Sequence, residues 1–429
     1  MLTMMINNLS NRIIAIILIS LAITAIGVSN FLLHDTRVQP NRLTAEYWKY
    51  SLPENQGLDS TILNSMMDYI HEKNFPIDSV LVIKNGFLVL EEYPNSLYTK
   101  DTLHFIYSCT KSVTSALIGI AIEEGFINNI DQKVVNFFSE RDIGNLDSRK
   151  KNMTIEHLLT MSAGFDWDEW TYWYWDSRND LYQAIESNDM VQFILDRPMV
   201  YEPGAKWVYN SGASHLLSAI IHVTTGISTL DFAKKYLFEP LDINNINWGH
   251  DSQGVYYGGF DLYMRPRDMA KIGYLFLNNG TWNDQQIIST DWVTQSTKIA
   301  FYPWGSTGYG YQWWLNPSAG YYFASGLFAQ RIIIIPECNL VVVFTAEIRS
   351  GSDPELNLLK NYILPAIKDN IITSQHNTSD YLSTLTLNTN SRYFKSTETE
   401  QGYSKGFGLP YVTIGLICLS TLIQTRKRK

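Results

Sequence analysis

The segment from residue 105 to residue 112 reads Phe105-Ile106-Tyr107-Ser108-Cys109-Thr110-Lys111-Ser112. An apolar run over residues 113–122 follows it, and Gly125 comes after the run. This pattern predicts a buried helix that has Ser108 in its first turn and ends at Gly125. Residues three positions apart lie on one face of a helix, so we expect Ser108 and Lys111 to stand side by side.

A hydroxyl group beside a buried amine forms a reactive pair. Burial disfavours the ammonium form and lowers the pKa of a lysine, so a neutral Lys111 can accept the proton of Ser108. The positive end of the helix also favours the developing alkoxide. An isolated Ser-x-x-Lys is more often a helix cap followed by a surface lysine, so the remaining motifs must decide between the two interpretations.

The composition is that of a globular protein with an acidic balance. The 429 residues are 45% hydrophobic and 13% aromatic, and the net charge is −9. These values suit one large domain or two lobes with a sizeable core, and no basic domain indicates nucleic-acid binding. The three cysteines form no spaced framework and the eight histidines are scattered, so we expect neither a disulfide scaffold nor a metal site.

The amino-terminal segment is apolar. Residues 13–33 carry no charge, and Arg12 precedes them. This arrangement predicts a signal peptide or a signal anchor over residues 1–34. A buried core helix is the poorer interpretation, because a charge precedes the segment and polar sequence follows it.

The carboxy-terminal region mirrors the amino-terminal one. Residues 373–405 are rich in Ser, Thr and Asn, which predicts a disordered linker or stalk. Residues 406–429 combine a hydrophobic segment, near the lower limit of about 17 residues for a membrane span, with a basic tail. The layout resembles the tripartite C-terminal sorting signals of surface proteins. Since basic clusters favour the inner side of a membrane, residues 35–372 are predicted to be extracytoplasmic and membrane-anchored at the cell surface.

Residues 35–372 combine strand and helix patterns. Two apolar stretches flank Asn85-Gly86, which predicts a hairpin because this turn needs positive φ at both positions. A second hairpin is predicted over 330–345. Helical spacing occurs over 58–71, 154–161, 188–195, 213–225, 229–237, 268–278, 290–297 and 355–370. The predicted fold is α/β (α+β), with an antiparallel sheet flanked by N- and C-terminal helices and an inserted helical lobe.

Further motifs are spread along the same region. They are Thr154-Ile155-Glu156-His157-Leu158-Leu159-Thr160-Met161-Ser162-Ala163-Gly164, Glu202-Pro203-Gly204, Trp207-Val208-Tyr209-Asn210-Ser211, Gly258-Gly259-Phe260-Asp261-Leu262-Tyr263, Arg265-Pro266-Arg267-Asp268-Met269-Ala270 and Gly308-Tyr309-Gly310-Tyr311-Gln312-Trp313-Trp314. With Ser108 and Lys111 they resemble the serine β-lactamase and penicillin-binding-protein superfamily, in the class C-like branch that includes 6-aminohexanoate-dimer hydrolases and esterases. The resemblance covers roughly residues 60–370. It implies a serine hydrolase that needs no metal and no organic cofactor.

The resemblance implies a role for several side chains. Ser108 is the expected nucleophile and Lys111 the base. Tyr209 would move protons between serine, leaving group and water, provided that neighbouring cations lower its pKa; taken alone, it is more often a core tyrosine. Ser211 is expected to hold a leaving group or to orient Lys111, with Asn210 as the alternative.

The third motif of the superfamily is altered in this chain. The superfamily has Lys-Thr-Gly or His-x-Gly on a strand that lines the site, whereas the corresponding stretch here is Gly326-Leu327-Phe328-Ala329. The missing cation normally recognises a substrate carboxylate, so recognition of β-lactams or D-Ala-D-Ala becomes doubtful. The backbone N–H groups of Ser108 and Gln330 are still expected to form an oxyanion hole.

Aromatic residues alternate with acids over residues 165–176. This segment is predicted to be a rim or lid with flat apolar walls, in which Trp170 and Tyr172 are the candidate pocket residues. Packing of the lobe onto the sheet is an equally good interpretation. The acids are expected to discourage anionic substrates, in agreement with the missing cation.

These patterns predict a membrane-tethered hydrolase that cleaves a small amide, ester or short peptide through an acyl-enzyme on Ser108. A β-lactamase or a D-Ala-D-Ala carboxypeptidase-like enzyme is one alternative. A non-catalytic surface protein of the same fold, which binds peptides or cell-wall fragments, is the other, and the altered third motif favours it mildly. The combination of Ser108, Lys111 and Tyr209 favours the enzyme, since a binding role does not require all three.

Overall fold

A large sheet forms the centre of the computed structural model, which describes residues 48–349 and 353–368. The strands in chain order are β1 (Lys49–Tyr50), β2 (Ile77–Lys84), β3 (Phe87–Glu92), β4 (His104–Phe105), β5 (Asn247–Trp248), β6 (Leu262–Met264), β7 (Thr281–Trp282), β8 (Gln285–Gln286), β9 (Phe301–Trp304), β10 (Thr307–Tyr309), β11 (Trp314–Asn316), β12 (Tyr321–Gly326), β13 (Gln330–Ile335) and β14 (Leu340–Ala346). Nine strands form the central sheet in the order β1-β3-β2-β14-β13-β12-β11-β10-β9. Its neighbours pair antiparallel except β1 and β3.

The helices precede, interrupt and follow these strands. They are α1 (Ser60–Lys73), α2 (Cys109–Glu123), α3 (Ser148–Asn152), α4 (Ile155–Leu159), α5 (Asp180–Glu186), α6 (Met190–Asp196), α7 (Ser211–Thr225), α8 (Thr229–Ala233), α9 (Pro266–Leu277), α10 (Thr290–Ser296) and α11 (Pro354–Leu358). Helices α8 and α11 continue as single π-helical turns, Lys234–Phe238 and Leu359–Ile363. Short 3₁₀ turns occur at Pro53–Gln56, Val134–Phe138, Pro317–Ala319, Leu327–Ala329 and Pro336–Cys338.

The side chains of the central strands alternate between two cores. On β2, Leu81 and Ile83 belong to the core that contains α2, α7 and α9. Val80 and Val82 belong to the core that contains α1 and the last helix. Because both faces of the sheet are buried, these strands are apolar at successive positions rather than at alternate ones.

The predicted fold class is confirmed. The hairpin between β2 and β3 has φ of 55° at Asn85 and 79° at Gly86, as its sequence requires. The hairpin between β13 and β14 also forms. The sequence patterns missed β1, β4 to β12, α3 and α5, whereas the predicted helix over 355–370 is too long, because its helical turns end at Ile363.

Helix α2 is held firmly in the core that carries the site. Almost all of its residues are buried. A Cβ on Gly119 would lie 2.4 Å from the Trp292 Cγ, so a glycine is required where α2 approaches α10. Gly125, with φ of 75°, follows the helix as predicted. This packing fixes the position of the helix N-terminus, where Ser108 lies.

The predicted terminal segments 1–34, 373–405 and 406–429 lie outside the described residues. Within 48–349 and 353–368, no single helix has both the length and the apolarity of a membrane span. One bent pair, Ser211–Thr225 with Thr229–Phe238, meets these two criteria jointly.

Candidate active site

Ser108 is the N-cap residue of α2, one position before the predicted first turn. The preceding Tyr107 has φ of 48°, a left-handed conformation that is costly for a bulky residue. Its carbonyl accepts hydrogen bonds from the Thr110 N–H at 3.1 Å and the Thr110 Oγ1 at 2.6 Å. The chain therefore turns sharply between β4 and α2, and backbone strain of this kind is often found beside reactive groups.

Lys111 is the buried amine of the site. It is only 2% exposed, and its Nζ lies 3.1 Å from Ser108 Oγ, 2.9 Å from Ser211 Oγ and 2.9 Å from the Gly259 carbonyl oxygen. A Cβ on Gly259 would lie 3.0 Å from the Ser211 carbonyl oxygen, which leaves room for little more than a glycine. Burial lowers the pKa of Lys111 to about 8, while the charge of Glu169 opposes this decrease. The amine can therefore lose its proton at mildly alkaline pH and act as a base toward Ser108.

Glu169 is a buried carboxylate that the sequence patterns placed on the rim with the other acids. It is 1% exposed and does not face solvent. Its Oε1 accepts from Ser211 Oγ at 2.7 Å, and its Oε2 accepts from the Ser211 N–H and the Trp167 Nε1, each at 2.7 Å. Burial raises the pKa of Glu169, and the Lys111 charge together with these three donors opposes the increase.

Tyr209 lies between the reactive pair and an aromatic wall. The Lys111 Nζ stands 4.7 Å from the centroid of its ring, and its phenol group interacts with the Ser108 side chain. Burial raises the pKa of Tyr209 well above its ordinary value, so the lowering by cations on which its role between serine, leaving group and water was made conditional does not occur. At neutral pH this side chain is a phenol that can donate a proton.

The two residues after Tyr209 have different tasks. Asn210 Oδ1 accepts from the Ala213 N–H at 2.8 Å and so caps α7. Ser211 is the residue that contacts Lys111. The structure therefore favours Ser211 over Asn210 for orienting the amine.

The end of β12 closes the site on the other side. A Cβ on Gly326 would lie 2.3 Å from the Ile106 carbonyl oxygen, so this strand end touches the chain just before Ser108. Residues 327–329 are not part of the strand but form the turn to β13, with φ of 59° at Phe328 and 70° at Ala329. The strand residues beside the nucleophile are therefore 324–326, which also contain no lysine or histidine.

Gln330 begins β13 directly after this turn. Its side chain points away from Ser108, because Nε2 donates to the Ala346 carbonyl oxygen at 2.6 Å. Its carbonyl oxygen accepts from the Cys109 Sγ at 3.5 Å. The backbone of Gln330 thus lies against the first residue of α2, and its oxyanion role remains a prediction.

Cys109 directly follows the candidate nucleophile and is fully buried. Burial raises the pKa of its thiol to about 12, while the charges of Arg331 and Lys111 oppose the increase. The thiol is therefore protonated at physiological pH.

A cation does lie near the turn after β12. The Arg349 guanidinium stands 5.0 Å from the Phe328 ring centroid, and its Nη2 lies 2.5 Å from Glu347 Oε1. The side chain is 68% exposed. Arg349 comes after the end of β14 at Ala346, so it does not lie on β12, the strand beside the nucleophile.

An aromatic wall extends from Tyr209 to the surface. Trp170 stacks on Tyr209, with ring centroids 5.2 Å apart, and on Trp304 at 4.8 Å. Trp304 stacks in turn on Trp314 at 5.3 Å, and Trp207 packs against all four rings. We call these five rings the aromatic wall. Trp170 thus lies beside Tyr209, and its role as a pocket residue stays a prediction.

Tyr172 lies elsewhere. Its ring packs against the Arg178 guanidinium at 4.1 Å, and that cation pairs with Asp176. The segment 165–176 therefore supplies one wall residue and one buried acid, while Tyr172 faces a surface ion pair.

A second aromatic group flanks the nucleophile. Phe105 stacks between Tyr107 and Tyr263, with centroid distances of 3.9 Å and 4.8 Å, and Tyr107 meets Phe328 edge-on at 5.4 Å. The reactive pair is therefore flanked by apolar surfaces. Within the described ranges, no group of three or more His, Cys, Asp or Glu side chains is arranged to hold a metal ion.

Comparison with known families agrees with the arrangement of Ser108, Lys111 and Tyr209. The beta-lactamase family model matches residues 54–362. The chain belongs to the beta-lactamase family. It is a serine hydrolase of this family, as the resemblance of its motifs implied.

Several beta-lactamase-fold proteins are similar to this chain. The 6-aminohexanoate-dimer hydrolase of Paenarthrobacter ureafaciens is 24% identical over 303 residues, which cover 65% of this chain and 74% of that protein. The octameric penicillin-binding protein homologue from Pyrococcus abyssi has a TM-score of 0.58 at 23% identity, with 73% of this chain and 78% of that one covered. EstCE1, a hydrolase with promiscuous acyltransferase activity, has a TM-score of 0.60 at 12% identity, with coverage of 72% and 98%. These structural similarities support the fold.

Proposed function

We propose that this chain is an extracytoplasmic, membrane-tethered hydrolase that cleaves a small, uncharged amide or ester through an acyl-enzyme on Ser108. The observation that carries the proposal is the contact of Ser108 Oγ with the buried Nζ of Lys111 at 3.1 Å. An amine that ionises near pH 8 is a suitable base for a serine hydroxyl. The similarity to an amide-cleaving dimer hydrolase supports the same reaction class.

The reaction follows from the positions of three side chains. Neutral Lys111 takes the Ser108 proton as Oγ attacks the carbonyl carbon, which gives a tetrahedral oxyanion and an ammonium. Tyr209, a phenol at neutral pH, donates its proton to the leaving nitrogen or oxygen and regains one from Lys111. The carbon–leaving-group bond breaks, and the acyl group stays on Ser108 until water, deprotonated by the same groups, releases it as a carboxylic acid.

The surroundings support an uncharged substrate with an apolar part. The strand residues beside the nucleophile contain no cation, and Arg349 is paired with Glu347. The aromatic wall offers flat apolar surfaces on one side of Ser108, where a ring or an alkyl chain can lie. The relative named for a dimer of an aminoalkanoic acid is consistent with the apolar part of this preference, since such a dimer contains alkyl chains.

The experiment measures covalent labelling of the full-length chain by a fluorophosphonate, together with turnover of p-nitrophenyl esters, small amide dimers and a cephalosporin reporter. We expect labelling at Ser108 and turnover of esters or amides. Ser108→Ala should lose at least about 10³-fold in activity. Ser115→Ala is the matched control, since Ser115 is a buried serine of the same helix whose Oγ has no hydrogen-bond partner among the described residues.

Unchanged turnover in Ser108→Ala would refute the mechanism. Rapid opening of the cephalosporin would favour the β-lactamase or carboxypeptidase-like alternative, for which Arg349 is a cation within reach of the turn after β12. Absence of labelling and of turnover in the wild type would favour a binding protein of the same fold.

The proposed location rests on the apolar segment 13–33 and on the hydrophobic segment with a basic tail over 406–429. Protease added to intact cells should digest the region 35–372, while a cytoplasmic marker protein stays intact. Protection of the region until the cells are lysed would contradict the extracytoplasmic location. Recovery of the full-length chain in the soluble fraction would contradict the tether.

A further inference from the structure

Four side chains form one continuous chain of hydrogen bonds under the reactive serine. The Lys111 Nζ contacts Ser108 Oγ at 3.1 Å and Ser211 Oγ at 2.9 Å, and Ser211 Oγ donates to Glu169 Oε1 at 2.7 Å. Lys111, Ser211 and Glu169 are each at most 2% exposed. Water therefore has little access to this chain, and its members must satisfy one another.

The direction of each bond in this chain is determined by Glu169. Its Oε2 is occupied by the Ser211 N–H and the Trp167 indole N–H, and its Oε1 accepts the Ser211 hydroxyl proton. A hydroxyl has one proton, so a Ser211 that donates to Glu169 can only accept from Lys111. Glu169 thereby fixes the orientation of the Ser211 hydroxyl.

This orientation decides where the lone pair of Lys111 points. The neutral amine has two protons and one lone pair, and its Nζ has three oxygen neighbours. The Gly259 carbonyl oxygen can only accept, at 2.9 Å, and Ser211 Oγ also accepts. Both protons are thus used, and the lone pair remains for the hydroxyl of Ser108.

We propose that Glu169 is the positioning residue of this site: through Ser211 it directs the basic lone pair of Lys111 at Ser108. The inference rests on the proposed function, because it assigns how the Ser108–Lys111 pair is prepared. Glu169 acts through other groups and does not itself touch the reacting atoms.

The charged and titratable groups around the pair are few. Lys111 faces Glu169, Cys109 on its own helix and the ring of Tyr209. Glu169 faces Lys111, Tyr209 and Tyr309. The two tyrosines have pKa values well above the ordinary value because they are buried, and the Cys109 thiol has a pKa of about 12. Among these groups, ionised Glu169 is the one that supplies the largest negative charge to Lys111.

A purely structural role is the competing explanation. Glu169 also links the segment 165–176 to the starts of α5 and α7. Its carbonyl oxygen accepts from Nδ2 of Asn179, the N-cap residue of α5, at 3.1 Å, and its carboxylate accepts from the Ser211 N–H and the Trp167 Nε1. Loss of that link would lower thermal stability and the maximum rate. It would leave the pH at which Lys111 loses its proton unchanged, so the pH profile distinguishes the two roles.

The experiment measures the rate of fluorophosphonate labelling of the full-length chain against pH, for wild type, Glu169→Gln and the control Asp166→Asn. Wild type should gain rate with increasing pH, with a midpoint near 8 where Lys111 becomes neutral. Removing the negative charge disfavours the ammonium form, so the Glu169→Gln midpoint should shift down by about 1 unit or more. The plateau should fall at least about tenfold, because an amide must present N–H to one of the three donors and disturbs the Ser211 hydroxyl.

Asp166→Asn removes the same charge from an exposed residue three positions earlier and should keep the wild-type midpoint. Glu169→Asp is the second variant, which keeps the charge but withdraws it from Ser211. We expect its midpoint to fall by less than that of Glu169→Gln. If a thermal melt shows that Glu169→Gln is not folded, the pH midpoint of labelling in Glu169→Asp tests the proposal instead. A downward shift of that midpoint supports the proposal, and an unchanged midpoint overturns it.

Failure of this inference and failure of the proposed function give different results. Wild type that is not labelled at Ser108 contradicts the function itself. Wild type labelled with the expected pH dependence, together with Glu169 variants whose midpoints equal it, leaves the function standing and overturns the role of Glu169.

Discussion

The buried chain Ser108–Lys111–Ser211–Glu169 and the aromatic wall meet at Tyr209 but are built on different physical principles. The buried chain consists of short, directional hydrogen bonds from which water is excluded. The aromatic wall consists of large stacked rings with little directionality, and its outer member, Trp304, is 42% exposed. Replacing a single atom in the buried chain should therefore abolish most of the activity. Substitutions in the aromatic wall should instead weaken substrate binding in proportion to the contact area that they remove.

The largest expected effect that tests this contrast is Lys111→Met. The variant keeps a side chain of similar length but removes the proton acceptor of Ser108, so activity should fall at least about 10²-fold. Residual activity should no longer rise through pH 8. Turnover and fluorophosphonate labelling between pH 6 and 10 measure both effects.

Lys150→Met is the matched control for this change. Lys150 is also buried, its pKa is lowered to about 8 by burial, and its Nζ donates to the carbonyl oxygens of Gly144 and Leu195. We expect reduced thermal stability but an unchanged pH midpoint. A Lys150→Met profile that moved like that of Lys111→Met would show that the midpoint does not report on Lys111.

An intermediate effect is expected for Trp304→Ala in the aromatic wall. A stacked aromatic pair is worth about 0.5–1.5 kcal/mol, so KM for a substrate with an aromatic or alkyl group should rise roughly 2- to 15-fold while kcat changes little. Tyr302→Ala is the control, because Tyr302 lies on the same strand and is 60% exposed. A large fall in kcat for Trp304→Ala would mean that the wall also positions Tyr209.

The smallest effect is expected for Tyr172→Leu. The ring packs on Arg178 and not on the aromatic wall, so kcat and KM should stay within about twofold of wild type, as for other positions outside the site. Steady-state kinetics with the same ester and amide substrates check this. An increase in KM as large as that of Trp304→Ala would return Tyr172 to the pocket, where its sequence position first suggested it.

The sequence predicted the parts of the site that depend on local spacing. Ser108 and Lys111 are three residues apart on one helical surface, and Asn85-Gly86 specifies its hairpin, so both could be recognised without any tertiary contact. The apolar runs of β2, β13 and β14 likewise indicated central strands.

The sequence could not predict features that arise from burial. Glu169 stands among exposed acids such as Asp166 and Asp168, and only the fold shows that it alone is buried beneath Ser211. The pKa of Tyr209 could not be predicted either, because it depends on how much protein surrounds the phenol rather than on its neighbours in the chain. The position of Glu169 between Trp167 and Trp170 is a signal that pointed toward burial, and the exposed Asp168 shares it. Strands β9 to β11 were missed because strands of three or four residues show too little alternation.

The placement of Cys109 beside Ser108 has a consequence for the durability of the enzyme. A thiolate is intrinsically a better nucleophile than a hydroxyl group. The Cys109 thiol, however, is fully buried and has a pKa of about 12, whereas the adjacent Ser108 is partly exposed. Oxidants and alkylating agents attack thiolates that are accessible, and this thiol is neither ionised nor exposed. The site can therefore work in an oxidising medium without chemical damage one residue away from its nucleophile.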